Sequence, residues 1–290
     1  ILDYFLLFGI YPKLQKAEIG FKTLTILTIL LLQKSNLKMC YSTRQTRERK
    51  ELEKLLSVKA MYGDIDTDLE LIYFHANGWS HPVMWSLGQE EPNNLLPAMW
   101  GIMPPREKQE DYKQYFKNPK TFGGLNAKSE KLFDHFLYRY CWENQRCIIP
   151  VDGFFEPHNT KVKVKGKDFK VPFYFHRKNG DPIYLGGIYT NTADGRRTFA
   201  VLTKDATPMF EEIHNDKKRR PVIIDDGNLE SWLHHGNTTS DVQDLIDDDL
   251  WEGELEAHPV TKDLYSRTVD FNYPGIVDKV DYEEVSISYG

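Results

Sequence analysis

The chain has 290 residues, enough for one large domain or two small ones, and its 40% hydrophobic and 13% aromatic content can build a substantial core. Three cysteines, Cys40, Cys141 and Cys147, exclude an even disulfide framework, and Cys141 and Cys147 lack a second Cys/His pair at zinc-like spacing. The formal net charge of −6 argues against a uniformly basic nucleic-acid binder, but Asp225 to Glu256 holds eleven acids and no Lys or Arg, so a local basic face remains open elsewhere.

In chain order, residues 1–38 are the least protein-like part. The apolar run Leu24–Leu32 is flanked by Lys22 and Lys34. It is shorter than the roughly 20 apolar residues a membrane span needs, and no small-residue cleavage site follows. Residues 1–38 are therefore expected to be an upstream leader outside the mature fold, with the domain covering 39–290. Met39 is the first methionine, and Cys40 follows it. If synthesis starts at Met39 and that Met is removed, Cys40 carries an α-amine and a thiol on adjacent carbons. Such a 1,2-aminothiol condenses with an aldehyde to a thiazolidine ring. An ordinary small buried cysteine is the plainer alternative.

Downstream, a helix is expected from Thr43, with Leu52, Leu55 and Leu56 at helical spacing, ending at Gly63-Asp64. Strands are expected at Leu71–Ala76, Pro82–Leu87 and Ala98–Met103, then a polar helix at Glu107–Lys117 and an amphipathic one at Ser129–Tyr140. Cys147–Phe155 reads as a buried strand broken at Pro150 and bent at Gly153. Strands at Pro172–His176, Ile183–Tyr189, Thr198–Thr203, Pro221–Ile224 and Leu255–Val260 continue a mainly antiparallel pattern. Short helices fill Met209–Ile213, Leu229–His234 and Val242–Leu250. The pattern predicts one α+β domain.

Three polar residues sit in otherwise apolar or tight sequence: Asn126 in Leu-Asn-Ala, Glu156 at the end of Asp-Gly-Phe-Phe-Glu, and His214 at the end of Met-Phe-Glu-Glu-Ile-His. Singly, each has a structural explanation: a helix cap, a carboxylate paired with Lys, a helix-end histidine. Together with their flanks they form ordered motifs: Met39-Cys40, Trp100-Gly-Ile-Met-Pro104, Leu125-Asn-Ala-Lys-Ser-Glu130, Arg146-Cys-Ile-Ile-Pro-Val-Asp-Gly-Phe-Phe-Glu156 and Ile213-His-Asn-Asp-Lys-Lys-Arg-Arg-Pro-Val222. In this order, from Met39 to about Asn272, they resemble the SRAP (SOS response-associated peptidase) family.

The resemblance implies an SRAP fold with a mainly antiparallel, barrel-like β core and peripheral helices. It implies processing of abasic sites in single-stranded DNA during the DNA damage response. The Cys40 amine would attack the ring-opened C1′ aldehyde and the Cys40 thiolate would close a thiazolidine cross-link. His214 would be the acid/base for ring opening and reversal, Glu156 would orient the amine and shuttle protons, and Asn126 would hydrogen-bond the opened sugar. A weak abasic-site lyase reaction and autoproteolysis accompany this reading. Candidate DNA contacts are Arg44, Trp100, Lys128, Lys217, Lys218, Arg219 and Arg220.

No metal or other cofactor is expected, no membrane is involved, and the protein is expected to be a cytoplasmic monomer. This chain departs from the family pattern at Tyr41-Ser42, where Gly-Arg is usual, at Lys128, where Arg is usual, and at Pro157, where an aromatic is usual. A cysteine peptidase built on Cys40, His214 and Asn126, and a non-catalytic DNA-binding module, are the competing functions.

Overall fold

Among the described residues the strands pair into two sheets, and several are buried along nearly their whole length rather than at alternate residues. The computed structural model describes residues 41–61, 70–266, 271–285 and 287. The leader expectation for residues 1–38, and Met39 and Cys40, lie outside the described residues. The helix end expected at Gly63-Asp64 also lies outside them.

The first element is strand β1 (Ser42–Gln45), followed by helix α1 (Arg49–Leu56) and the short strand β2 (Lys59–Ala60). Strands β3 (Tyr73–Asn77), β4 (Val83–Gly88) and β5 (Glu91–Trp100) come next. A one-turn helix α2 (Tyr112–Tyr115) precedes β6 (Asn126–Lys128). The central strands are β7 (Arg146–Val151), β8 (Gly153–Val164), β9 (Lys167–Arg177), β10 (Ile183–Asn191) and β11 (Arg197–Asp205). Helix α3 (Pro208–Ile213), strand β12 (Arg219–Pro221), helices α4 (Leu229–Leu233) and α5 (Thr239–Asp247), and strand β13 (Leu255–Pro259) complete the order. Among the described residues no helix is long and apolar enough to cross a membrane.

One sheet runs β13-β9-β8-β1-β3 and is antiparallel throughout. The other runs β12-β11-β10-β7-β4-β5-β2. In it β11 also pairs in parallel with β5, Phe199 opposite Trp100, so the path β11-β10-β7-β4-β5 returns to its start. This ring of strands fits the barrel-like expectation, and the architecture is the expected mainly antiparallel α+β one. The main core lies between the layers, with Phe154, Phe173, Phe175, Phe199, Phe210 and Trp100 all buried in it.

Local expectation fails where tertiary pairing wins. Thr43 does not start a helix. It lies in β1 between β3 and β8, with Thr43 opposite Ala76 and Phe154. The buried Gln45 amide explains the strand: it bonds the backbone N–H of Trp85 at 3.0 Å and the Pro150 carbonyl at 2.7 Å, so β1 is tied to β4 and β7. Pro150 does not break β7, where it lies opposite Tyr184, and the interruption falls at Asp152. Gly153 is needed there, because a Cβ would come within 2.3 Å of the Phe175 carbonyl oxygen.

The amphipathic segment Ser129–Tyr140 is a series of turns and 3-10 turns rather than a helix. Its backbone alternates between i+3 and i+4 bonds, Leu132 to Ser129 and His135 to Lys131, and leaves Phe136 and Tyr140 about two-thirds exposed at 66% and 67%. No single stripe buries the segment, so tertiary packing adds nothing that would favour a continuous helical ladder.

Candidate active site

The period of two along β8 puts Phe154, Glu156 and His158 on one face, and each meets helix α3 or its end. Phe154 stacks on Phe210 with ring centroids 6.0 Å apart. Glu156 lies 3.3 Å from His214 Nδ1 through Oε2. His158 Nδ1 donates to the Ile213 carbonyl at 3.0 Å. Glu156 is fully buried and His214 is 1% exposed, so this pair meets little competition from water.

His214 is the C-terminal cap of α3 and its N–H bonds Phe210 O at 2.7 Å. Its Nδ1 also lies 3.0 Å from the Arg219 carbonyl oxygen. A carbonyl can only accept, so Nδ1 carries the proton and donates to the Arg219 oxygen, with Glu156 Oε2 beside it at ion-pair distance, which leaves the Nε2 lone pair as the ring's basic atom.

The loop bearing His214 is clamped on both sides. Upstream, His158 holds Ile213. Downstream, Asn159 and Asn215 bond each other reciprocally: the Asn159 N–H donates to Asn215 Oδ1 at 3.1 Å, and Asn215 Nδ2 donates to the Asn159 carbonyl at 2.9 Å. Asn159 Nδ2 then reaches Asp216 Oδ1 at 3.0 Å. The strand that carries the carboxylate thus also fixes the loop that carries the imidazole.

Arg219 links this loop to the Asn126 segment. Its guanidinium donates to both carboxylate oxygens of Glu130, to Asp205 at 2.7 Å and to the Thr203 carbonyl at 2.7 Å. The hydrogen bond from Arg219 holds the Glu130 carboxyl below its ordinary pKa. Four residues upstream of Glu130, Asn126 opens β6 opposite Val201 of β11. The preceding Leu125 carbonyl accepts from the Trp100 indole at 2.8 Å.

The chain next to Cys40 reaches the same region. Gly78 N–H donates to Tyr41 O at 2.7 Å, and a Cβ on Gly78 would stand 3.1 Å from Leu125 and 3.2 Å from that oxygen. Ser42 lies opposite Phe155. Ser42 thus pairs with the neighbour of Glu156, and Gly78 lies between Tyr41 and Leu125, the neighbour of Asn126. Cys141 and Cys147 are buried, and burial pushes the Cys141 thiol up to about 12 and the Cys147 thiol higher still. Neither supplies a thiolate at neutral pH.

A groove of about 350 Å³ opens beside Tyr41, and nothing in the sequence pattern pointed to it. Trp79 is 46% exposed and packs on Tyr41 with centroids 5.0 Å apart. His81 and Phe116 form a parallel stack at 4.2 Å, with Tyr112 beside them and Lys113 and Lys117 on the rim. The signal is spread over Trp79–His81 and Tyr112–Lys117, segments that share no motif.

Several expected DNA contacts are corrected. Trp100 is 1% exposed, stacked on Phe199 inside the core, and has no face to offer a nucleotide. Arg219 is consumed by Glu130 and Asp205, and Arg220 is buried against Asp249 at 2.9 Å and over the Phe210 ring. Arg44 turns to the sheet face opposite Glu156, with its guanidinium over Phe74 and donating to the Pro274 carbonyl. Lys128, Lys217 and Lys218 are exposed, as such contacts require, and Lys218 lies 3.7 Å from Glu211. Among the described residues no group of three or more His, Cys, Asp or Glu side chains is gathered as metal ligands would be.

Residues 39–267 match the family model described as SOS response associated peptidase (SRAP). The chain is 26% identical over 215 residues to the abasic site processing protein YoqW of Bacillus subtilis (strain 168), covering 69% of this chain and 88% of that protein. It is 28% identical over 201 residues to the abasic site processing protein YobE of the same organism, covering 64% and 84%. A solved structure from Bacteroides thetaiotaomicron superposes with a TM-score of 0.68 at 20% identity, over 83% of this chain and 100% of that one, a likeness of fold alone.

Proposed function

Because the chain belongs to the SRAP (SOS response-associated peptidase) family, we propose that it processes abasic sites in DNA by a covalent link through Cys40. The relatives named as abasic site processing proteins support the general activity. The single observation that carries the mechanism is the buried Glu156–His214 pair with Nδ1 fixed by Arg219 O.

The chemistry follows from what such a pair can do. An abasic deoxyribose is mostly a closed ring, and opening it needs a proton on the ring oxygen as the C1′ aldehyde forms. His214 Nε2 takes and returns that proton. The free α-amine of Cys40 then adds to C1′, and loss of water gives the imine. The Cys40 thiolate adds to the imine carbon, the nitrogen takes a proton, and the thiazolidine closes. Glu156, enclosed beside His214, accepts the proton that the amine sheds. The Asn126 amide binds the hydroxyl of the opened sugar without adding charge. Elimination of the 3′ phosphate from the imine is a competing lyase path.

The substrate in this reading is single-stranded DNA. Aromatic rings interleaved with lysines suit unpaired bases and their phosphates, because each base offers a π-face for stacking. The groove of Trp79, His81, Phe116, Lys113 and Lys117 has that make-up, and its Trp79 packs on Tyr41. The test mixes protein whose first residue is Cys40 with a single-stranded oligonucleotide bearing one abasic site. A heat-stable adduct, lost in Cys40→Ala, is expected. An equal yield of adduct from Cys40→Ala defeats the mechanism.

A further inference from the structure

The β8–β9 hairpin projects beyond the sheet, and nothing in the reaction uses its tip. Residues 161–168 are eight consecutive exposed positions. Lys161 to Lys170 contains five Lys and one Asp, a net +4. The strands pair Lys163 with Asp168 and Val164 with Lys167, and the connection is Lys165-Gly166, both at positive φ (52° and 74°). A Cβ on Gly166 would meet nothing within 4 Å, so the tip stands in open space. The β-branched Val162 and Val164, 42% and 44% exposed, keep the backbone extended without a core behind them. Lys163, Lys165 and Lys167 form no ion pair among the described residues.

The base of this ribbon is fixed to the reacting pair. Its register shifts between Asn159 and Lys163, a bulge that holds Lys161 at φ 65° and redirects the tip. Lys161 and Lys170 both reach Asp216, two residues after His214. Asn159 bonds Asn215 and Asp216 from the same strand. The lysines therefore stand at a set distance from Glu156. Because of the bulge, the span is read on β9, where Asp168, opposite Lys163, is five residues from Phe173, opposite Glu156; that is roughly 17 Å at the strand rise, about five phosphates of a stacked strand at 3.4 Å each.

We propose that the Lys161–Lys170 hairpin is a phosphate-binding arm that grips the DNA flank about five nucleotides from the lesion. The inference rests on the abasic-site reading above. Its chemistry suits a nucleic-acid backbone: unpaired lysines on a narrow ribbon, with no pocket and no hydrogen-bonding side chain placed to read a base. Such an arm adds affinity and salt dependence without sequence preference.

The test is the triple variant Lys163→Ala, Lys165→Ala, Lys167→Ala, with binding measured against salt on strands carrying twelve or two nucleotides either side of the lesion. On the long flanks, affinity should fall on the order of ten- to a hundredfold, and the log–log salt slope should drop by roughly 2 for a single strand. On the short flanks, which do not reach the arm, affinity should match the wild type. Replacement by Arg at the three positions should restore the long-flank slope. An unchanged slope on long flanks, or equal losses on both lengths, overturns the proposal. Unmodified strands of both lengths separate the two ideas. If the wild type forms no adduct at any abasic site, the abasic-site reading fails. The flank-length effect on unmodified DNA still decides the arm.

Discussion

The 3.0 Å bond from His214 Nδ1 to the Arg219 carbonyl decides which nitrogen of the imidazole can move a proton. With Nδ1–H committed to that carbonyl, Nε2 is the nitrogen left to exchange a proton with a substrate. His214→Ala should slow both formation and reversal of the adduct on a closed-ring abasic site, and slow them much less on an open-chain aldehyde analogue. Glu156→Gln keeps the side chain's size but cannot take a proton, so it should slow adduct formation on both. General acid–base groups contribute about 10²–10⁴-fold, which a time course resolves easily. Equal defects of His214→Ala on the two substrates remove its assigned role.

The aminothiol chemistry needs a free amine, because an amide nitrogen does not condense with an aldehyde. The active protein is therefore expected to begin at Cys40, and intact mass spectrometry of protein expressed from its native locus reads this directly. Cys40→Ser, with the same N-terminus, should give an imine that borohydride traps but no heat-stable adduct. A cross-linking protein that retains residues before Cys40 contradicts this.

Much of this was legible in the sequence because it is local. Short apolar runs between turn residues marked many of the strands, although the polar outer halves of β8 and β9 carried no such run, and Glu156 and His214 stood out as polar ends of apolar segments. What failed depends on distant partners. Arg219 looked like part of a basic run, yet its partners Asp205 and Glu130 lie 14 and 89 residues away. Trp100 was open to either a DNA-edge or a core-strand role, and the pairing of β5 with β11 together with its indole bond to the Leu125 carbonyl decides for the core. The turns at residues 129–140 satisfy helical periodicity in part, so spacing alone could not reject a helix.

The same long-range pairing predicts a stability effect. Arg220 and Asp249 are nearly buried, at 1% and 6% side-chain exposure, and Lys204 also reaches Asp249 at 3.0 Å. Burial raises the Asp249 carboxyl while Arg220 and Lys204 pull it back. Arg220→Ala leaves that acid short of a partner and should cost about 3–5 kcal/mol in denaturant unfolding. The double replacement Arg220→Met, Asp249→Leu should recover most of the loss. A single-variant loss under about 1 kcal/mol contradicts the assignment of Arg220 to the core, since an exposed ion pair is worth no more than that.

His75 gives the fold an acid limit. It lies on β3, 3% exposed, edge-on to Phe155 and Phe271. Neither ring nitrogen has a hydrogen-bond partner among the described residues. Burial pushes its pKa down from 6.5 to about 4. The unfolded chain therefore binds the proton more readily than the fold does. The contribution is fully present above pH 6.5 and is lost as pH falls from 6.5 towards 4. The whole window is worth on the order of 3 kcal/mol. His75→Phe keeps a ring in the same aromatic pocket and cannot titrate. Its stability relative to wild type should rise by about that amount between pH 7.5 and pH 4, measured from denaturant midpoints. Other histidines titrate alike in both proteins and cancel in the difference. A difference that stays flat across this range shows that His75 gains a proton partner on folding, and the prediction fails.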